Sequence, residues 1–216
     1  MEPSKAGTAI LGARRSRHRG VETKGMAPCK KNAARLGAHL VFADESGFQL
    51  TPNVRRTWAP RGQTPVFHHR CRRDKLSVIS GISVSPQRQR LGLYCMVYTD
   101  NIQQEEACIF IRQLLHHLRG QVIVVWDNGP IHKGPIIDAL CTEFPRLHLE
   151  RFPAYAPELN PDEGIWAYLK GKLANGRPDD IEQLQNYLED EIRQITNDNR
   201  ILRGCICQSE LPPFLH

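Results

Sequence analysis

Between two segments of helical periodicity lies a run that is apolar at every position, Val122-Ile123-Val124-Val125-Trp126. Upstream, Ala107, Phe110, Ile111, Leu114, Leu115 and Leu118 recur at the spacing of one face of an amphipathic helix. Asn101 and Gln104 can cap its start and Gly120 ends it. Downstream, a helix is expected over 133–143, with Ile136, Ile137, Leu140 and Cys141 inward. A run without alternation suits a strand buried on both faces, which is the situation of a parallel strand under crossover helices. The chain is therefore expected to be α/β.

The other elements fall into order around that run. Leu40-Val41-Phe42-Ala43 reads as a buried strand closed by Asp44-Glu45. Residues 46–75 are loop-rich, with Gly47, Pro52, Pro60, Gly62 and Pro65. Leu76–Val84 and Leu91–Tyr98, separated by the Ser85-Pro86-Gln87 turn, should pair antiparallel. Leu147–Phe152 reads as a further strand, and Asn160-Pro161 opens a helix with Trp166, Leu169 and Leu173 inward. A last helix follows Asp180, with Ile181, Leu184, Leu188, Ile192 and Ile195 on one face. Three antiparallel strands followed by right-handed crossovers give a mixed five-stranded sheet with helices on both faces. That order is the order of the ribonuclease H-like fold. The domain is expected over 37–176, with 177–216 as a C-terminal helix and tail packed on it.

Charge separates the beginning of the chain from the rest. Residues 1–36 hold nine Lys/Arg and two acids, whereas the other 180 residues of the 216 balance at −1. The first 36 residues are expected to be a flexible basic arm, either solvated or in contact with a polyanion such as nucleic acid. No apolar run exceeds six residues, far below the roughly 18–20 that span a bilayer. No membrane association is expected, and the location is expected to be cytoplasmic, on the nucleoid. The seven cysteines show no Cys-x-x-Cys spacing and are expected to be reduced thiols.

Three acids occupy informative places. Asp44 closes the first strand, Asp127 closes the central parallel strand, and Glu163 lies in the first turn of a helix. In the ribonuclease H arrangement the first and fourth strands are neighbours, so Asp44 and Asp127 come together although 83 positions separate them. Clustered carboxylates repel unless something positive lies between them. Mg²⁺ takes oxygen ligands and leaves room for a substrate phosphate. Two such ions can activate the attacking oxygen and stabilise the leaving oxygen of a phosphodiester. Each acid alone reads as a turn former or helix-dipole partner before it reads as catalytic, and only the three together, in this order, favour the metal site.

The words around the acids are more specific. Val41-Phe42-Ala43-Asp44-Glu45-Ser46-Gly47-Phe48 resembles the first catalytic block of the DDE transposases of the insertion-sequence-630/mariner superfamily. Thr57-Trp58-Ala59-Pro60-Arg61-Gly62-Gln63-Thr64-Pro65 is similar to the loop that follows it. Val125-Trp126-Asp127-Asn128-Gly129-Pro130-Ile131-His132-Lys133 resembles the second block, and Pro153-Ala154-Tyr155-Ala156-Pro157-Glu158-Leu159-Asn160-Pro161-Asp162-Glu163-Gly164-Ile165-Trp166 the third. Thirty-five residues lie between Asp127 and Glu163, matching the short spacing of that group. The resemblance covers about residues 37–175.

By position, the resemblance implies that Asp44, Asp127 and Glu163 are the catalytic, metal-binding triad for Mg²⁺ or Mn²⁺, with two ions. It implies cleavage at transposon ends and joining of the freed 3′-hydroxyl to target DNA, typically at TA, by a homodimer or with a partner reading-frame product. Two departures stand out. No helix-turn-helix precedes the domain, which fits a split element, a truncated remnant, or translation starting at Met26. Asp162 stands where an apolar residue is common, beside the assigned Glu163.

Other residues take secondary parts. Glu45 points to the opposite face from Asp44; with Asn128 and His132 it is expected to support the site, and Glu158 is a weaker spare ligand. Arg55, Arg56, Arg61, Arg70, Arg72, Arg73 and Lys75, with Trp58, form a basic stretch holding a single acid, Asp74. They are the expected DNA contacts, salt-sensitive because each neutralised phosphate releases counterions. Trp166 reads as a core anchor. The sequence leaves two further readings: a catalytically idle DNA-binding or partner-binding remnant, and a general ribonuclease H-type nuclease on RNA–DNA hybrids.

Overall fold

The computed structural model of the chain describes residues 26–50, 60–61, 74–174 and 178–211. Residues 26–36 are helical (α1). Met26, Cys29 and Ala33 recur on one side of this helix and are at most 2% exposed. The expectation of a flexible arm running to residue 36 is thereby corrected. The stripe is narrow and lies among Lys30, Lys31 and Arg35, so charge conceals the periodicity in the sequence.

Five strands follow: β1 (His39–Gln49), β2 (Lys75–Val84), β3 (Leu91–Tyr98), β4 (Val122–Trp126) and β5 (Leu147–Arg151). They form one sheet in the order β3-β2-β1-β4-β5. The β1–β2 and β2–β3 pairs are antiparallel; β1–β4 and β4–β5 are parallel. All five residues of β4 are buried, as their unbroken apolar character requires. β1 differs from the expectation: it does not stop at Asp44 but continues to Gln49, paired with β2.

Helices cover both faces. α2 (Gln104–His117) and α3 (Pro135–Glu143) lie on one. Phe110, Ile111 and Leu114 pack there with Val41, Val124 and Trp126. The N-cap of α2 is Gln103, whose N–H donates to Glu106 Oε2 at 2.8 Å; Asn101 instead accepts from Lys75 Nζ. α3 starts two residues late because Gly134, at φ 108°, and Pro135 fix its first turn. Ile136 is 41% exposed rather than inward, while Ile137 and Leu140 are buried.

The other face carries α1, α4 (Asp162–Lys172), α5 (Ile181–Asn197) and α6 (Asn199–Gln208). Asp180 caps α5, accepting from the Gln183 N–H at 2.9 Å. α6 escaped the sequence reading because Asp198 both ends α5 and caps the next helix, accepting from the Arg200 N–H at 3.0 Å. α6 lies close against α4 at Gly164, where an added Cβ would stand 2.8 Å from Cys205 Sγ and 3.3 Å from its backbone. Only glycine permits that approach. Among the described residues no helix is long and apolar enough to cross a membrane.

One buried acid sits in this core. Asp162 is 0% exposed and accepts from the Ser80 hydroxyl, while its Oδ2 has no hydrogen-bond partner among the described residues. Burial pushes its carboxyl well above the usual range, and the charges of Asp44 and Glu45 add to the shift. A carboxyl raised by folding contributes most to stability below its unfolded value near 4 and loses that contribution as pH rises toward the folded one. Asp162→Asn keeps the acceptor for Ser80 and removes the buried charge. It is expected to stabilise the fold by roughly 1–3 kcal/mol at pH 8 and to leave it nearly unchanged at pH 4, measured by thermal melts at the two pH values.

Candidate active site

The site begins with a strand register. Parallel pairing sets Phe42 against Val125. Two residues beyond that pair stand Asp44, still on β1, and Asp127, just past the end of β4, on neighbouring strands about 4.8 Å apart. Asp44 is held from both directions, because its own backbone continues in the ladder opposite Ser80. Asp127 lies just past the end of β4, and its side chain is 61% exposed.

His132 fixes Asp127. Its ring, 1% exposed, lies 4.0 Å from the Trp126 ring, stacked at an interplanar angle of 11°. Nδ1 is 2.8 Å from Asp127 Oδ1 and Nε2 is 3.0 Å from Glu45 Oε1. Both nitrogens face carboxylate oxygens, and only the imidazolium can donate to both. Burial opposes that charge, but the hydrogen bond to Glu45 and the charges of Glu45 and Asp127 outweigh it and raise the His132 pKa above its ordinary value. Asp127 Oδ1 also accepts from the Gly129 N–H at 2.7 Å. One carboxylate oxygen is thus fully engaged, leaving Oδ2 for a ligand.

Trp166 fixes Asp44. The indole Nε1–H donates to Asp44 Oδ2 at 2.8 Å, and the ring meets Phe48 edge-on at 6.0 Å. The core-anchor expectation is met, since Trp166 is buried, and the polar edge carries a second task the sequence did not reveal. Burial raises the Asp44 pKa to about 6; the Trp166 hydrogen bond counters this, and the charges of Glu45 and Glu163 reinforce it.

Asp44, Asp127 and Glu163 line one open cleft of about 480 Å³ with Asn128, Asn160 and the 152–157 loop. The adjacent acids of α4 divide cleanly: Asp162 faces the core and Glu163 faces the cleft. Asn160 Oδ1 accepts from the Asp162 N–H at 3.1 Å, so it braces the helix start, one residue before the cap position itself. Tyr155, 95% exposed at φ 58°, stands on the rim. Glu158 is exposed and does not line the cleft.

Asn128 Oδ1 accepts from Arg151 at 3.2 Å, and Arg151 also donates to the His132 carbonyl at 3.2 Å. This fastens a guanidinium to the loop that follows Asp127. Sequence reasoning missed Arg151 because it closes a strand with no motif around it. Of the expected DNA contacts, Arg61 and Lys75 are exposed; Arg55, Arg56, Trp58, Arg70, Arg72 and Arg73 lie outside the described residues. Among the described residues no three His, Cys, Asp or Glu side chains are gathered closely enough to hold an ion. The charged side chains of the cleft are nonetheless all carboxylates, Asp44, Asp127 and Glu163, the oxygen donor set that suits a hard divalent cation.

A mixed sheet of this order, with carboxylates where the parallel pairing of β1 with β4 runs out, is the ribonuclease H-like fold. Residues 39–185 match the sequence profile of the DDE superfamily endonucleases, and the chain belongs to that family. Its fold is similar to that of Mos1 transposase in a paired-end complex with the left transposon end, with a TM-score of 0.60 at 18% identity, covering 97% of this chain and 61% of that one. The Mos1 strand transfer complex gives 0.57 at 20% identity, covering 84% and 57%. The isolated catalytic domain of Mos1 mariner transposase gives 0.52 at 15%, covering 99% and 100%. The chain thus spans about three fifths of the length of the transposase chains in those two complexes. No curated protein sequence matches it.

The His132–Trp126 stack provides a direct readout of the site. A protonated imidazole quenches an indole stacked on it, so tryptophan emission should rise as His132 loses its proton. The midpoint is expected above 6.5, the ordinary value. Stability gained from the raised value is present below pH 6.5 and is lost as pH rises through the folded value. Fluorescence titration of the wild type beside His132→Gln measures this; the step should vanish in the variant.

Proposed function

We propose that this chain is the catalytic domain of a transposase, cutting DNA at transposon ends and joining the freed 3′-hydroxyl to target DNA. The observation that carries the proposal is the register that sets Asp44 beside Asp127, with Glu163 completing the same cleft. In this reading Asp44, Asp127 and Glu163 hold Mg²⁺ or Mn²⁺, two ions in all. Bound there, the metal would supply an activated nucleophile and neutralise charge on the phosphate. The Mos1 complexes solved with Mn and with Mg support that choice.

The chain's own residues supply orientation. His132 and Gly129 hold one oxygen of Asp127, and Trp166 holds one oxygen of Asp44, so neither carboxylate has to reorganise when a ligand arrives. Arg151, fastened by Asn128, presents a cation where a neighbouring phosphate would lie. Arg61, Lys75 and the rest of the 55–75 stretch would hold the backbone. The paired-end complexes among the similar structures support a partnership of two copies, or of this chain with a partner reading-frame product that recognises the ends.

Asp127→Asn keeps shape and removes charge. It is expected to reduce nicking of supercoiled plasmid in Mn²⁺ or Mg²⁺ by more than roughly a hundredfold, with an unchanged circular dichroism spectrum. A folded variant that nicks as fast as wild type would refute the assignment. Trp166→Phe keeps the aromatic contact with Phe48 and loses the N–H. It is expected to weaken Mn²⁺ binding roughly tenfold, read by electron paramagnetic resonance titration; unchanged affinity would mean that the strand alone orients Asp44.

A further inference from the structure

The parallel strands begin at the end of the sheet opposite the cleft, where the β2–β3 hairpin also turns. The connections gathered there, 37–38, 85–90, 118–121 and 144–146, contain Arg88, Arg90, Arg119 and Arg146 and not one Asp or Glu. Two open clefts, of about 620 and 520 Å³, meet at Leu118, and no carboxylate lines either. The catalytic end has the opposite character, with Asp44, Asp127 and Glu163 in its cleft.

The cations at this end divide into those already engaged and those free to bind. Arg146 donates to the carbonyls of Leu115, Leu118 and Gly120, and so serves the C-terminus of α2. Arg112 is paired with Glu143. Arg90 and Arg119 are exposed walls of the two clefts and make no ion pair among the described residues. Behind them Arg88, at φ 60° in the hairpin turn, is 7% exposed, and among the described residues both its terminal nitrogens lack partners. A buried cation without a counterion is costly, and its field is weakly screened. That field reaches the cleft wall: after burial itself, Arg88 and Arg146 are what depress the pKa of His39, which lines it.

We propose that this end of the sheet is a second, non-catalytic DNA site, gripping duplex phosphates with Arg90 and Arg119 over the uncompensated charge of Arg88. The proposal rests on the reading that the chain acts on DNA. β4, with five residues, separates the two ends by about 17 Å. A duplex seated on the carboxylates therefore cannot also lie here without wrapping the domain, and the occupant is a separate segment of DNA. Ser85, Gln87 and Gln89 along the same cleft are the neutral side chains that commonly accompany arginine on a phosphate backbone.

The test uses the full chain and a fluorescein-labelled 30-base-pair duplex, with anisotropy titrations from 50 to 200 mM salt. Arg90→Glu/Arg119→Glu is compared with Arg193→Glu/Arg203→Glu, which changes net charge equally on α5 and α6. The first pair is expected to weaken binding at least tenfold at 100 mM and to flatten the salt slope by about 2, one unit for each lost phosphate contact. The control pair is expected to change the slope by less than half as much. Equal losses in both pairs, or an unchanged slope, would overturn the proposal. So would binding of poly-glutamate that depends on Arg90 and Arg119 while duplex binding does not, which would make the surface a dock for an acidic protein. Plasmid nicking by the wild type, abolished or not by Asp127→Asn, reports separately on the carboxylate reading.

Discussion

Parallel pairing of β1 with β4 is the constraint on which the site depends. Four register pairs, from His39–Val122 to Phe42–Val125, bring two distant parts of the chain side by side. The next two steps carry Asp44 and Asp127 into the same neighbourhood. Two carboxylates so placed repel, and a half-buried one is costly to ionise. What holds them is the sheet: β4 is buried throughout, and β1 is locked on its other edge by its ladder with β2. The repulsion is borne by a strand buried at all five positions and by a neighbour paired on both edges.

The arrangement then distributes its polar partners by face. On the α2–α3 side, His132 links Glu45 to Asp127 and rests on Trp126. On the α4 side, Trp166 reaches Asp44. Each acid is oriented by an N–H donor anchored in an aromatic contact, and aromatic rings have few rotamers to lose. Asp162 resolves its own conflict differently, by staying within reach of Ser80 as a carboxyl whose ionisation folding disfavours.

Much of this was legible in the sequence. The unbroken apolar run fixed β4 as buried, the order of strands and helices led to the sheet order, and the strand ends pointed to Asp44 and Asp127. Glu45 was expected on the face opposite Asp44, and it is found beside His132. What escaped reading has physical causes. Periodicity does not show where a strand continues once one neighbour has ended, so β1 seemed to stop at Asp44. It does not show an indole N–H reaching across from a helix 122 positions away. The stripe of α1 was too narrow to stand out among lysines, and α6 follows α5 so closely that one residue, Asp198, serves both. Arg151 bears on the site only through Asn128 and the His132 carbonyl, contacts that exist only once β4 and β5 lie side by side.

The contact at Gly164 bears on where the working unit ends. The family profile stops at residue 185, yet Cys205 lies against the residue that follows Glu163. α6 is thus part of the seat on which the third acid is mounted, although it lies outside the segment that relatives share most visibly. A chain trimmed to the matched segment would keep every catalytic block and lose the buttress behind one of them. That contact asks little of the last helix beyond a small side chain at Cys205 facing a glycine.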